Sequence, residues 1–412
     1  MRYGLLGEKL GHSFSREIHN MLGDYAYDLI EVARDDLDSF VRNGDFTALN
    51  VTIPYKEAII PHLDNIDDAA EAIGAVNTVV KRDGKLCGYN TDFYGLEKLI
   101  NHSKIGIKNR KIAILGTGGT SKTAKAVAEH LKASEILIVS REKRQFSITY
   151  DELYDNHSDV EVIINTTPVG MYPNDEYCPI ELSKFDRLFG VIDVIYNPLR
   201  TPLIVEAKKK GIRAEGGLYM LVAQAVRASE IFLNTKYDEK TIDKIYRKLI
   251  RNKENIVLIG MPASGKSTVG RMLEKKLSRK VFDSDKYIEH REKISIPEIF
   301  ATKGEEYFRD LESCVIKELS TKSGIIIATG GGSVLRDKNV DNLKKNGRLY
   351  FIDRPLTKLI PTSNRPLASN AKDIEKRYNE RYGIYSRVAD VRIDSNTSAP
   401  ITADKIIDDY YS

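Results

Sequence analysis

The run Gly260-Met-Pro-Ala263-Ser264-Gly265-Lys266-Ser267-Thr268 holds the full Gly-x4-Gly-Lys-Ser pattern of a phosphate-cradling loop. Glycines let backbone amides wrap phosphate oxygens with no Cβ in the way. Lys266 can reach the β- and γ-phosphates of ATP, and Ser267 can ligate Mg²⁺. The pattern marks a nucleotide site without naming the phosphoryl acceptor. Downstream, Phe282-Asp283-Ser-Asp285 puts two carboxylates at the end of the next expected strand, one for the metal and one for an attacking hydroxyl. Phe300 and Phe308-Arg309 offer a guanidinium flanked by aromatics. Gly330-Gly331-Gly332 ends a third strand, where backbone amides can approach a ligand. Arg365 and Arg381 follow. Each arginine alone reads as a surface ion pair, but guanidinium forks also suit a planar carboxylate.

A second glycine turn, Gly116-Thr-Gly118-Gly119-Thr-Ser121, follows the apolar run Lys111 to Leu115. It is a dinucleotide fingerprint with serine in the third glycine position. The next apolar run, Ile136 to Val139, ends in Ser140-Arg141-Glu142-Lys143-Arg144. An enzyme using NAD usually carries an acidic residue there for the ribose 2′-hydroxyl. The basic cluster favours a 2′-phosphate and hence NADP(H), with Glu142 as the contrary detail. Polar clusters unusual for pure scaffold precede this turn in the sequence: His12-Ser13-Phe-Ser15, Asn50-Val-Thr52-Ile-Pro-Tyr-Lys56, Gly74-Ala-Val-Asn77 and Asn90-Thr-Asp92. Singly, Lys56 and Asp92 read as ordinary surface residues.

Such residues need elements that hold them. Strand-like runs alternate with helical patterns along the whole chain, which predicts α/β layers with largely parallel sheets. Two phosphate-binding turns imply two nucleotide sites on two domains. Residues 238–250 have helical apolar spacing at Ile242, Ile245, Leu249 and Ile250. Only Arg251 to Asn255 then precede the next strand, so the domains are expected at 1–250 and 251–412.

At 412 residues the chain is too long for one ordinary core. Its 63 basic and 59 acidic side chains nearly balance, which calls for neither nucleic acid nor an anionic membrane as partner. Three scattered cysteines with no Cys-x-x-Cys argue against a disulfide framework or a zinc site. No signal-like or membrane-spanning apolar run is present, so a cytoplasmic protein is expected, as monomer or homodimer.

The C-terminal motifs together resemble shikimate kinase across residues 255–412, and Arg381-Tyr-Gly-Ile-Tyr385 extends the match. The resemblance implies that Ser267 and Asp283 handle Mg²⁺ and that Asp285 holds and activates the shikimate hydroxyl. Arg309 and Arg381 would clamp its carboxylate, with the Gly331 region also on the substrate and Arg365 as the lid arginine over the phosphates. Pro361 stands where the family usually has an arginine that stacks on adenine. The N-terminal motifs resemble shikimate dehydrogenase from residue 1 to about 240, continuing through Asn165-Thr-Thr-Pro-Val-Gly-Met171, Asp193-Val-Ile-Tyr196 and Gly217-Leu-Tyr-Met-Leu-Val-Ala-Gln224. That resemblance implies Lys56 and Asp92 as the catalytic pair and Ser13, Ser15, Thr52, Asn77, Tyr196 and Gln224 as substrate contacts. The NADP(H) contacts would be Gly116, Gly118, Gly119, Ser140, Arg141, Met171 and Gly217. A two-lobed dehydrogenase with a Rossmann-like NADP lobe at about 106–231 is implied. Its substrate lobe would be about 1–105 plus 232–250, and a P-loop kinase domain with a parallel sheet would follow. The implied substrates are 3-dehydroshikimate and shikimate, the product of the first activity feeding the second. Two alternatives stay open: a quinate-type dehydrogenase joined to another small-metabolite kinase, and a regulatory protein carrying inactive enzyme folds.

Overall fold

Among the described residues seventeen strands build three sheets, and each sheet aligns loops at its edge that carry the polar motifs. The structure, a computed structural model, describes residues 2–11, 13–359 and 371–412. The expectation for Arg365, like that for Pro361, therefore lies outside the described residues. The chain divides into two units, residues 1–247 and 248–412.

The first unit opens with β1 (Tyr3–Gly7), β2 (Tyr27–Glu31), β3 (Ala48–Val51), β4 (Asn65–Ile66), β5 (Thr78–Arg82) and β6 (Lys85–Tyr89), ordered β2-β1-β3-β5-β6-β4. This sheet is mixed: β5 runs antiparallel to both β3 and β6, and the other pairs are parallel. Between β5 and β6 the reversal comes from Asp83-Gly84, both at positive φ, a turn whose twist suits a two-residue hairpin. The same unit continues with β7 (Lys111–Leu115), β8 (Glu135–Ser140), β9 (Ile148–Thr149), β10 (Val162–Asn165), β11 (Gly190–Asp193) and β12 (Arg213–Glu215). Their order is β12-β11-β10-β7-β8-β9, and every pair is parallel. Ile112 to Leu115 are wholly buried, as a central strand covered on both faces requires. The chain leaves β7 toward β8 on one side and returns through β10 on the other. The crevice beyond β7 and β10 is thus the place where such sheets bind ligands.

The second unit holds β13 (Asn255–Ile259), β14 (Val281–Asp283), β15 (Ile326–Ala328), β16 (Gly347–Asp353) and β17 (Val391–Asp394) in an all-parallel sheet ordered β14-β15-β13-β16-β17. Ile256 to Ile259 are wholly buried at its centre. One expectation is corrected here. Residues Arg251 to Asn255 are not a joint: the helix Thr241–Lys253 takes in the first three, β13 begins at Asn255, and Glu254 alone lies between them. No glycine or proline interrupts this stretch, and Ile242, Ile245 and Leu249 anchor its buried face.

Candidate active sites

In the first unit, Lys56 lies in the short helix Tyr55–Ala58 that follows β3. Asp92 lies in the first turn of Thr91–Ser103, a helix capped by the Asn90 side chain accepting from the Phe93 amide. The two elements bring Lys56 Nζ to 2.5 Å from Asp92 Oδ2, with both side chains largely shielded from solvent. Such a pair fixes an ammonium where it can donate a proton.

Lys56 also lines a cleft of about 760 Å³, together with Gly116 to Thr120, Ser140 to Glu142, Arg144 and Thr166 to Val169. Gly116 sits at φ +110°, and a Cβ there would lie 2.9 Å from Thr166 Oγ1, so the turn admits only glycine. Gly118 precedes the helix Gly119–His130, whose N-terminus therefore opens on the cleft. Ser121, in the third glycine position, is buried, and its hydroxyl donates to the Gly116 carbonyl at 2.7 Å, closing the turn. An amide-lined turn, a helix N-terminus and two arginines fit a dinucleotide phosphate.

The basic cluster divides. Arg141 is exposed at the cleft. Lys143 is paired with Glu152. Arg144, not singled out from the sequence, donates to Thr117 Oγ1 at 3.2 Å and lines the cleft. Ser140 turns its hydroxyl inward, donating to the Glu142 carbonyl and meeting Ser147 Oγ at 2.7 Å, so only its backbone is left for a ligand. Met171 and Gly217 do not line this cleft. Gly217 instead meets Val194, whose carbonyl oxygen would be 2.0 Å from an added Cβ.

The expected substrate contacts fall into two groups. Ser13 donates to Ser15 Oγ at 2.9 Å, and Tyr196 packs against Phe14 with ring centroids 5.3 Å apart. Burial pushes the Tyr196 hydroxyl above its usual range, against a side-chain hydrogen bond with Ser13 that lowers it, so it stays neutral. In the second group Asn77 Nδ2 donates to Thr91 Oγ1 at 3.0 Å while its Oδ1 accepts from the Thr91 amide at 2.7 Å. Thr91 Oγ1 in turn donates to Gln224 Oε1 at 3.3 Å. Gln224 rides on Leu218–Leu233, which reaches Thr91–Ser103 closely because Gly95 has no side chain: a Cβ there would sit 2.8 Å from the Met220 carbonyl. Thr52 follows β3, its amide bonded to the Leu6 carbonyl at 2.9 Å.

In the second unit the loop after β13 has the bent backbone of a phosphate cradle: Gly260, Ala263 and Gly265 have φ of 144°, 65° and 95°. It leads into Lys266–Leu277, the helix that carries Ser267 and Thr268. Lys266 Nζ bonds the Gly260 and Met261 carbonyls, each at 2.9 Å. Ser264 is buried with its hydroxyl unpartnered. Ser267 donates to Asp283 Oδ2 at 2.5 Å. Asp283 also caps the helix Ser284–Glu292 by accepting from the Asp285 and Lys286 amides, which fixes one carboxylate beside the loop. Mg²⁺ takes oxygen donors from one or two carboxylates and leaves the rest to phosphates and water, and the Ser267–Asp283 pair fits that demand.

A cavity of about 290 Å³ lies beside it, lined by Ser267, Asp283, Asp285, Arg309, Gly330 to Gly332, Arg377 and Arg381 among others. Glycines at its floor leave these side chains room: a Cβ on Gly330 would fall 2.5 Å from Asp285 Oδ1, and one on Gly332 would fall 2.1 Å from Arg309 Nη1. Arg309 is held by Glu312 at 2.9 Å and Glu305 at 3.1 Å, and Arg381 donates to the Gly331 carbonyl at 3.3 Å. Neither Glu312 nor Arg377 had been picked out by sequence reasoning. Both sit on amphipathic helices, where a charged residue ordinarily reads as a solvated face.

Known proteins bear on both units. A family model described as "Shikimate dehydrogenase substrate binding domain" matches residues 5–79, and one described as "Shikimate kinase" matches residues 262–411. The chain is 40% identical over 265 residues to a Clostridium perfringens protein described as "Shikimate dehydrogenase (NADP(+))", an alignment covering 60% of this chain and 97% of that one. It resembles the crystal structure of shikimate dehydrogenase 1 from Peptoclostridium difficile with a TM-score of 0.56 and 37% identity, over 60% of this chain and 98% of that one. A Thermus thermophilus shikimate 5-dehydrogenase, solved in complex with NADP(H) and shikimate, gives 0.54 at 25% identity over 60% and 99%.

Proposed function

This chain belongs to the shikimate dehydrogenase family and carries a shikimate kinase domain, a bifunctional enzyme of the shikimate pathway, and from that premise we propose how its residues divide the work. The observation that carries the reading is that Lys56, joined to Asp92, lines the same cleft as the Gly116–Gly119 turn. Bound NADPH supplies hydride to the carbonyl carbon of 3-dehydroshikimate. The resulting alkoxide needs a proton, and Lys56 gives it while Asp92 holds the ammonium in place. Ser13, Ser15, Thr52, Asn77, Tyr196 and Gln224 orient the substrate. Arg141 takes the 2′-phosphate, with Arg144 beside it.

In the second domain the loop from Gly260 to Thr268 holds the ATP phosphates, and Lys266 leaves its carbonyl partners to meet them. Ser267 and Asp283 would hold Mg²⁺, which screens phosphate charge. Asp285 accepts the proton of the shikimate hydroxyl as it attacks, and Arg309 and Arg381 position the carboxylate end. We further take the domains as 1–250 and 251–412, and the enzyme as a cytoplasmic monomer or homodimer. No helix among the described residues is long and apolar enough to cross a membrane.

The test is a pair of assays on the purified chain. NADPH oxidation should depend on 3-dehydroshikimate, and ADP release should depend on shikimate. A chain that turns over quinate with NAD but leaves 3-dehydroshikimate untouched would overturn the dehydrogenase half.

A further inference from the structure

Three arginines line the kinase cavity, one more than a two-arginine clamp uses, alongside Lys286 and the carboxylates Asp283, Asp285, Glu289 and Glu312. Arg377 and Arg381 stand four residues apart on the helix Ala371–Val388, so they share one face, and both line the cavity with Asp285, Arg309 and Gly331. The Nε of each is buried and has no hydrogen-bond partner. Arg309 differs. Glu312 and Glu305 already hold both of its terminal nitrogens. Glu312 is itself pinned, since Ser333 Oγ donates to its other oxygen at 2.7 Å. Among the described residues no carboxylate stands within ion-pair distance of Arg377 or Arg381. Burial, followed by the like charges of Arg377 and Arg309, holds the Arg381 guanidinium below its usual value, while Tyr385 pulls it up. Two like charges one helical turn apart repel, and a bound anion removes the penalty.

We infer that Arg377 is a further substrate-binding residue of this cavity, gripping the carboxylate of the phosphoryl acceptor beside Arg381 and the glutamate-held Arg309. The inference rests on the shikimate kinase reading of the same site. The planar fork matches a carboxylate in two parallel hydrogen bonds, which an ammonium cannot reproduce. A neutral acceptor of the same shape therefore gains nothing from Arg377, which makes the residue a determinant of specificity.

The experiment is steady-state kinetics of the full chain with Arg377→Gln and Arg377→Lys, using shikimate and its carboxamide analogue. Arg377→Gln should raise the KM for shikimate roughly 10- to 100-fold, the range for losing a charged hydrogen bond. The value of kcat should stay within a few-fold, and Arg377→Lys should recover part of the loss. The KM for ATP should not move, which also certifies that the domain is folded. The carboxamide should bind parent and Arg377→Gln alike. A shikimate KM that stays put overturns the proposal. So does a shift confined to the ATP KM, which would place Arg377 on the phosphates, or a fall in kcat alone. A parent chain without shikimate-dependent ATP turnover would sink the kinase reading itself, an outcome distinct from an active parent with an indifferent Arg377→Gln.

Discussion

The ammonium of Lys56 lies 2.5 Å from the Asp92 carboxylate, although the two residues belong to different helices and 36 positions separate them. A lysine held this closely at a cleft wall is oriented before substrate arrives, and orientation is worth most when the proton is needed in the transition state. Lys56→Ala should lower the kcat for 3-dehydroshikimate reduction by roughly 10²- to 10⁴-fold. Asp92→Asn should lower it less, because the ammonium remains but loses its anchor. NADPH affinity, read by fluorescence titration, should persist in both. A kcat within a few-fold of the parent would make Lys56 a bystander.

Cofactor choice should follow the two arginines at the cleft. Arg141 is exposed there, and Arg144 is steadied by Thr117 on the glycine turn. Arg141→Ala should weaken NADPH far more than NADH, by about 1.5–3 kcal/mol, the range for a hydrogen bond to a charged group. Arg144→Ala should act in the same direction but more weakly, because Thr117 already takes one of its donors. Equal losses for NADPH and NADH, measured as kcat/KM ratios, would remove Arg141 from the 2′-phosphate.

What was legible in the sequence was whatever a short stretch must satisfy by itself. Ile112 to Leu115 and Ile256 to Ile259 read as buried strands because a covered parallel strand needs apolar residues on both faces. The turns at Gly116 and Gly260 read as phosphate loops because their positive φ demands glycine. The hydrogen-bonded chain from Asn77 through Thr91 to Gln224 could not be read, since its last link spans 133 positions. Nor could the inward turn of Ser140, which depends on Ser147 reaching back from the far side of a loop. The end of the helix before β13 was placed too early, because a change of domain was expected to break it, while nothing in Thr241–Lys253 prevents it from continuing.

The first unit should lose stability on mild acidification through His19. This ring is fully buried, stacked on Tyr27 at 3.8 Å, and its Nδ1 meets the Tyr25 hydroxyl at 2.6 Å. Burial lowers its pKa from 6.5 to about 3, against a hydrogen bond involving Asn50 that raises it. Between those values the unfolded chain binds a proton that the folded chain refuses, so stability falls as pH drops from 6.5 toward 3. Asp193 works the other way: burial raises its carboxyl to about 7, so its contribution grows as pH falls through the same window. The His19 effect is therefore read as a difference. His19→Gln should flatten the slope of unfolding free energy against pH between 5 and 6.5 while leaving the Asp193 contribution in both proteins. Parallel slopes for parent and variant in urea titrations would contradict the assignment.

The two activities should separate cleanly by mutation, because the residues of each lie within one unit. Lys266 now satisfies itself on the Gly260 and Met261 carbonyls, and those bonds can be exchanged for phosphate oxygens at little net cost. Lys266→Ala deletes a cation that would meet the transferring phosphoryl group, and phosphorylation should fall by at least ~10²-fold. Asp283→Asn should be as damaging by a different route. It removes the charge expected to hold Mg²⁺, yet an amide oxygen can still accept from the Asp285 and Lys286 amides and cap Ser284–Glu292, so the fold should survive. Raising the Mg²⁺ concentration should recover some activity in Asp283→Asn and none in Lys266→Ala. Throughout, NADPH-dependent reduction of 3-dehydroshikimate should stay within error of the parent, since Lys56, Asp92 and the Gly116 turn are untouched. A reductase rate that falls in step with the kinase rate in either variant would mean that the two sites do not work independently.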